Sequence, residues 1–102
     1  MTVRYVRLTE VCARFAIDES LVRQACDEGL IDLKRTVEDD PVLSPEHAER
    51  LRLIAVLTRE LDVNLAGVEV ILHMREEVRA MQRQFDTVLR DLVAELRRRM
   101  PD

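Results

Sequence analysis

The chain has 102 residues, 47% of them hydrophobic, and carries a net charge of −4 although 35% of its residues are charged. That suits one compact domain plus an extended element, with a modest core. It gives no overall attraction to nucleic acid. No apolar run approaches the roughly 20 residues that a membrane span needs, and charges interrupt the start from Arg4 onward, so no signal peptide is read and a cytoplasmic chain is expected.

Tyr5, Val6 and Leu8 read as a short extended segment. Thr9 is the expected N-cap of a first helix through Val11, Cys12, Phe15 and Ala16, whose apolar spacing is helical. Asp18 is the expected cap of a second, with Glu19 in its first turn, Leu21, Val22, Ala25 and Cys26 inside it and Gly29 just past its end. Two short helices joined this closely have the size of a helix-turn-helix. Leu30, Ile31, Asp32 and Leu33, then Thr36 and Val37, with Val42 and Leu43 after Pro41, suggest a two-stranded wing. Its tip would be Glu38, Asp39, Asp40 and Pro41, and a plain loop is the alternative.

Ser44, Pro45 and Glu46 form a helix start: a cap, a proline at the first helical position and an early acid. This third helix would carry Ala48, Leu51, Ile54, Ala55, Val56 and Leu57 and end near Leu61. Asn64 caps the next, with Leu65, Val68, Ile71 and Leu72 on one face. Nothing then interrupts the helix as far as Met100. Val78, Met81, Phe85, Val88, Leu92 and Leu96 recur at three- and four-residue steps, widened by Leu89 and Val93. A small head cannot cover that stripe, so pairing with a second copy is expected and these residues are the candidate dimerisation positions. A bend near residues 74–77 that folds the helix back on its own head is the alternative. The organisation read from the sequence is a mainly helical winged helix-turn-helix head, residues 1–75, followed by a C-terminal amphipathic helix, residues 76–102.

No catalytic, metal or cofactor constellation appears, so no enzyme is expected. Cys12 and Cys26 lack a CxxC arrangement and read as buried reduced thiols. His47 and His73 have no partner at ligand spacing, and there is no glycine-rich phosphate loop or GxSxG.

The run Leu8-Thr9-Glu10-Val11-Cys12, followed by Leu21-Val22-Arg23-Gln24-Ala25-Cys26-Asp27-Glu28-Gly29-Leu30-Ile31, resembles the opening of MerR-type domains. The run from Leu43 to Ile54 resembles the helix that follows their wing, and Val63 to Leu72 is similar to the next helix in two branches. One is the heat-shock repressor HspR; the other is the chaperone modulator CbpM. The resemblance covers roughly residues 4–75. The first branch implies a dimeric transcriptional regulator whose second helix enters the major groove, with Arg23, Lys34 and Arg35 as the DNA-binding residues. The second implies binding to, and inhibition of, the J-domain of a CbpA- or DnaJ-like co-chaperone of the Hsp70 protein DnaK.

Charge separates the two. Phosphate binding needs Lys and Arg, but in the second helix only Arg23 is basic, and the aromatic pair that follows that arginine in the family is replaced by Gln24 and Ala25. Three consecutive acids at the wing tip would each cost on the order of 1 kcal/mol against phosphate. An acidic head suits a basic protein surface such as the J-domain's second helix. The favoured reading is therefore a CbpM-like modulator in which Asp18, Glu19, Asp27, Glu28 and Asp39 approach that helix. The DNA-binding regulator is the alternative, and a helical scaffold of other specificity the third.

Overall fold

The computed structural model describes residues 4–100, which form four helices and a small sheet in the order β1 (Val6–Arg7), α1 (Leu8–Phe15), α2 (Glu19–Asp27), β2 (Lys34–Arg35), β3 (Pro41–Leu43), α3 (Pro45–Arg59) and α4 (Leu65–Arg99). The expected winged helix-turn-helix with a long C-terminal helix is present. The chain divides into two compact units, Met1–Glu69 and Val70–Asp102.

In the first unit the structure departs from the sequence reading at three points. The sheet has three strands, not two, in the order β1-β3-β2. β1 pairs antiparallel with β3 (Val6 opposite Leu43), and β2 pairs with its other edge (Lys34 opposite Val42). Because β1 runs straight into α1, the helix starts at Leu8 with the extended Arg7 at its cap, which displaces Thr9 from that role. Leu30 and Ile31 are not wing residues but buried core, and the strand begins only at Lys34.

The core of this unit is aliphatic: Val11, Ile17, Leu21, Val22 and Ala25 from the helix-turn-helix, Leu30 and Ile31 from the link after α2, Val42 and Leu43 from β3, and Leu51, Ile54, Ala55 and Leu57 from α3. No polar or charged side chain is buried among the described residues. Phe15, read as part of the apolar face of α1, is instead 38% exposed. Its ring lies 5.7 Å from the Arg14 guanidinium carbon and 5.9 Å from that of Arg52, a cation–π arrangement that favours a half-exposed ring over a fully sequestered one.

The start of α3 follows its sequence signature. The Ser44 hydroxyl accepts from the His47 backbone N–H at 3.1 Å, with proline in the first turn. The Asn64 side-chain oxygen accepts from the Gly67 N–H at 2.8 Å at the start of α4. α4 then continues for 35 residues without a break, on the order of 50 Å of helix. Val68 and Leu72 are its buried positions; beyond Leu72 no described residue is buried. In the second unit Val78, Met81, Phe85, Val88, Leu92 and Leu96 are all between 53% and 65% exposed. Glu95 near the C-terminal end pairs with both Arg98 and Arg99.

Candidate functional site

Two elements of the first unit, α2 and the wing, gather every sequence-chosen head residue. The chain reaches α2 through a tight turn. Ala16 takes a left-handed conformation (φ 52°), and its carbonyl accepts from the Arg59 guanidinium of α3. Asp18 sits extended at the helix start, as expected, but its carboxylate makes no cap bond; its carbonyl instead accepts from the Leu21 and Val22 N–H groups at 3.1 and 3.2 Å. The Asp18 side chain is thereby left in solvent. Leu21, Val22 and Ala25 face the core. Glu19, Arg23, Gln24 and Asp27 face water, as does Glu28 just beyond the helix.

The helix stops as the glycine implied. Gly29 has φ 72°. Its N–H donates to the Cys26 carbonyl at 3.0 Å, and the next N–H, that of Leu30, donates to Ala25 at 2.8 Å. This is the paired hydrogen-bonding of a Schellman ending, which satisfies the last carbonyls and turns the chain toward the wing. Two groups of α3 hold that turn: Arg50 donates to the Leu30 carbonyl at 3.0 Å, and His47 Nδ1 accepts the Asp32 N–H at 2.9 Å.

The wing tip closes through Thr36. Its carbonyl accepts from the Asp39 N–H at 2.9 Å, its hydroxyl from the Asp40 N–H at 3.1 Å, and its own N–H donates to the Asp40 carbonyl at 3.0 Å. Asp39 takes φ 67°, a left-handed conformation that aspartate tolerates better than most residues. Val37, at this tip, is fully exposed.

Electrostatics set this face apart. Over residues 18–41 eight carboxylates (Asp18, Glu19, Asp27, Glu28, Asp32, Glu38, Asp39 and Asp40) stand against three cations (Arg23, Lys34 and Arg35), and all eleven are exposed. Each cation lies beside an acid of the same face: Arg23 is 3.9 Å from Glu19, Lys34 is 3.9 Å from Asp32, and Arg35 is 3.7 Å from Asp39. Arg35 also donates to the Asp39 carbonyl at 3.0 Å. Asp18, Asp27, Glu28, Glu38 and Asp40 have no cationic partner among the described residues. Such exposed pairs are each worth only about 0–1 kcal/mol. They lock nothing, but they show that every positive charge on the face has a negative one next to it. Asp32, Glu38 and Asp40 join the five acids chosen from the sequence, and the charge run itself was the signal for them.

Between α2 and the wing runs a groove of about 330 Å³ lined by Leu8, Glu19, Val22, Arg23, Cys26, Leu33, Arg35 and Pro41. Cys26 contributes a half-buried free thiol to its lining, and burial, then the nearby charges of Asp27 and Asp32, push its ionisation above the ordinary thiol range. Cys12 is also free, raised by burial and by Glu19. Neither is fully buried, against the sequence expectation.

A sequence model described as MerR HTH family regulatory protein matches residues 6–90. The chain belongs to this family. The match starts at β1, spans the whole helix-turn-helix and wing, and continues well into the exposed part of α4. A MerR-family regulatory domain therefore includes both the acidic face and much of the apolar stripe. Among curated proteins, none matches the chain. No described helix is long and apolar enough to cross a membrane. No group of three or more His, Cys, Asp or Glu among the described residues is arranged to hold a metal ion.

Proposed function

We propose that this MerR-family chain is a chaperone modulator of the CbpM type, which binds the J-domain of a CbpA- or DnaJ-like co-chaperone and blocks its stimulation of DnaK. The observation that carries this is the charge of the α2–wing face: eight exposed carboxylates to three cations. DNA affinity rests on Lys and Arg neutralising phosphates, and here each available cation already has an acid within 4 Å. A basic helix meets the opposite situation, because Asp18, Glu19, Asp27, Glu28 and Asp39 offer it complementary charge that speeds and orients encounter. Occupying the basic J-domain helix would exclude DnaK from it, so inhibition is competitive.

The test is DnaK ATPase activity stimulated by the J-domain protein and titrated with this chain. Stimulation should fall to the basal rate and recover as DnaK is raised. Undiminished stimulation at saturating chain sinks the proposal. Reversing Asp27 and Glu28 to lysine should weaken inhibition by tenfold or more, as about 1.4 kcal/mol of lost interaction would do.

The helix-turn-helix and the exposed Arg23, Lys34 and Arg35 favour a second reading, a DNA-binding regulator of the HspR type. It requires sequence-specific, salt-dependent retardation of a DNA fragment that Arg23→Ala abolishes. In either reading the active species is a homodimer joined through Val78, Met81, Phe85, Val88, Leu92 and Leu96.

A further inference from the structure

The groove between α2 and the wing is not explained by charge alone. Its floor is apolar, made by Leu8, Val22, Leu33 and Pro41 with the Cys26 side chain, while its rim carries Glu19, Arg23 and Arg35. On α2 the lining positions 19, 22, 23 and 26 follow three- and four-residue steps, so they form one flank of the helix turned toward the wing. Val22 is buried, whereas Leu8, Cys26, Leu33 and Pro41 are only half-buried. An open apolar floor within a surface of net charge −5 over residues 18–41 is suited to one kind of occupant.

We propose that this groove is an anchor site for a basic amphipathic helix of the partner, taking one large apolar side chain onto its floor while Lys and Arg on either side of that anchor meet the surrounding carboxylates. The proposal rests on the protein-binding reading above and adds the point of insertion. Charge brings the helix to the face. Desolvation of a single apolar anchor in the groove then gives the affinity, as interfaces concentrate binding energy in a few buried contacts ringed by polar ones. The rim makes the selection. Glu19 stands at the groove, Asp32 and Asp39 lie beside Lys34 and Arg35, and Asp27 and Asp32 lie near the thiol, so an acidic helix would meet repulsion there. The two rim arginines do not reverse this, since each has a carboxylate within 4 Å.

Cys26 supplies a reporter at the floor, and Cys12, half-buried but outside the groove lining, supplies an internal control. The full-length chain is labelled with a neutral maleimide, and the two cysteines are followed separately by peptide mass spectrometry. Two probes are compared: a synthetic Leu/Lys amphipathic helical peptide, and the same peptide with Glu in place of Lys. Near ten times the dissociation constant, the basic peptide should slow labelling of Cys26 about tenfold and leave Cys12 unchanged, and the acidic peptide should slow neither. Filling the groove by Cys26→Phe, or placing a charge in it by Leu33→Asp, should weaken binding of the basic peptide at least about tenfold, with circular dichroism confirming that each variant is folded.

Equal labelling of Cys26 with and without the basic peptide overturns the anchor site, as does equal protection by the acidic peptide or protection by a short DNA duplex. The J-domain forms a separate arm. If it binds and inhibits but leaves Cys26 labelling unchanged, the anchor site fails while the chaperone reading stands. If the basic peptide protects Cys26 and the J-domain does not bind, the anchor site stands and the chaperone reading fails.

Discussion

Asp39 shows how a single residue can serve backbone and charge at once. Its φ of 67° closes the wing tip, its carbonyl accepts from Arg35, and its carboxylate lies 3.7 Å from the same arginine. Asn tolerates the left-handed region as Asp does. Asp39→Asn should therefore keep the tip and the carbonyl bond, leave the thermal midpoint nearly unchanged, and weaken binding of a basic partner by reducing the face's charge. Gly29 has the opposite character. A side chain there would meet no neighbouring atom within 4 Å, so the cost of Gly29→Ala is purely one of backbone conformation. It should amount to about 1–2 kcal/mol, read as a lower denaturant midpoint at constant slope. Cys26 gives a pH-dependent expectation. Its thiol ionises above the ordinary range because burial and then Asp27 and Asp32 disfavour the thiolate. Alkylation should therefore be slow at neutral pH and still be accelerating above pH 9, beyond the ordinary thiol range. A rate already level by pH 8.5 would contradict that environment.

At the scale of elements, the starts of α3 and α4 were the most legible features. Ser44 and Asn64 cap within three residues of themselves, so the information lies in a short window of sequence. The Schellman ending at Gly29 is equally local. The wing was legible as a unit but not in its strand limits, because those depend on β1, more than thirty residues away, pairing with Leu43. The same distant strand moved the start of α1 away from Thr9. His47 illustrates a link that spacing could not reveal. Read only as lacking a partner at ligand spacing, it accepts the Asp32 N–H and ties the approach to the wing onto α3. His47→Ala should cost about 1 kcal/mol, and hydrogen exchange at the Asp32 amide should quicken more than at amides within α3. Equal exchange in variant and parent would remove this contact from the wing's support.

For the whole molecule, the question is what covers the stripe on α4. Five successive stripe residues, Val78, Met81, Phe85, Val88 and Leu92, alternate three- and four-residue steps, which is the seam of a coiled coil. A contiguous exposed apolar surface of this kind marks an interaction site. An isolated helix gains little stability of its own in water. Replacing Phe85 and Leu92 together by Glu should thus halve the mass seen by sedimentation and reduce helical ellipticity, while the amide protection of α3 and the wing persists. A parent chain that sediments as a monomer would refute the pairing. The proposed partner-binding face lies in the first unit, so on that proposal this variant should still bind one J-domain per chain.

The amino-acid sequence alone determined the helix-turn-helix, the capped starts of α3 and α4, the unbroken final helix with its apolar stripe, and the acidic balance of the N-terminal half. Those properties are periodic, local or additive, and each can be read within a few residues or by counting. Tertiary structure decided the rest. It made β3 the central strand of three, left Phe15 half-exposed between arginines, and joined one flank of α2 to the wing around an apolar groove. These depend on which distant segments pair and pack, and no local spacing encodes that choice.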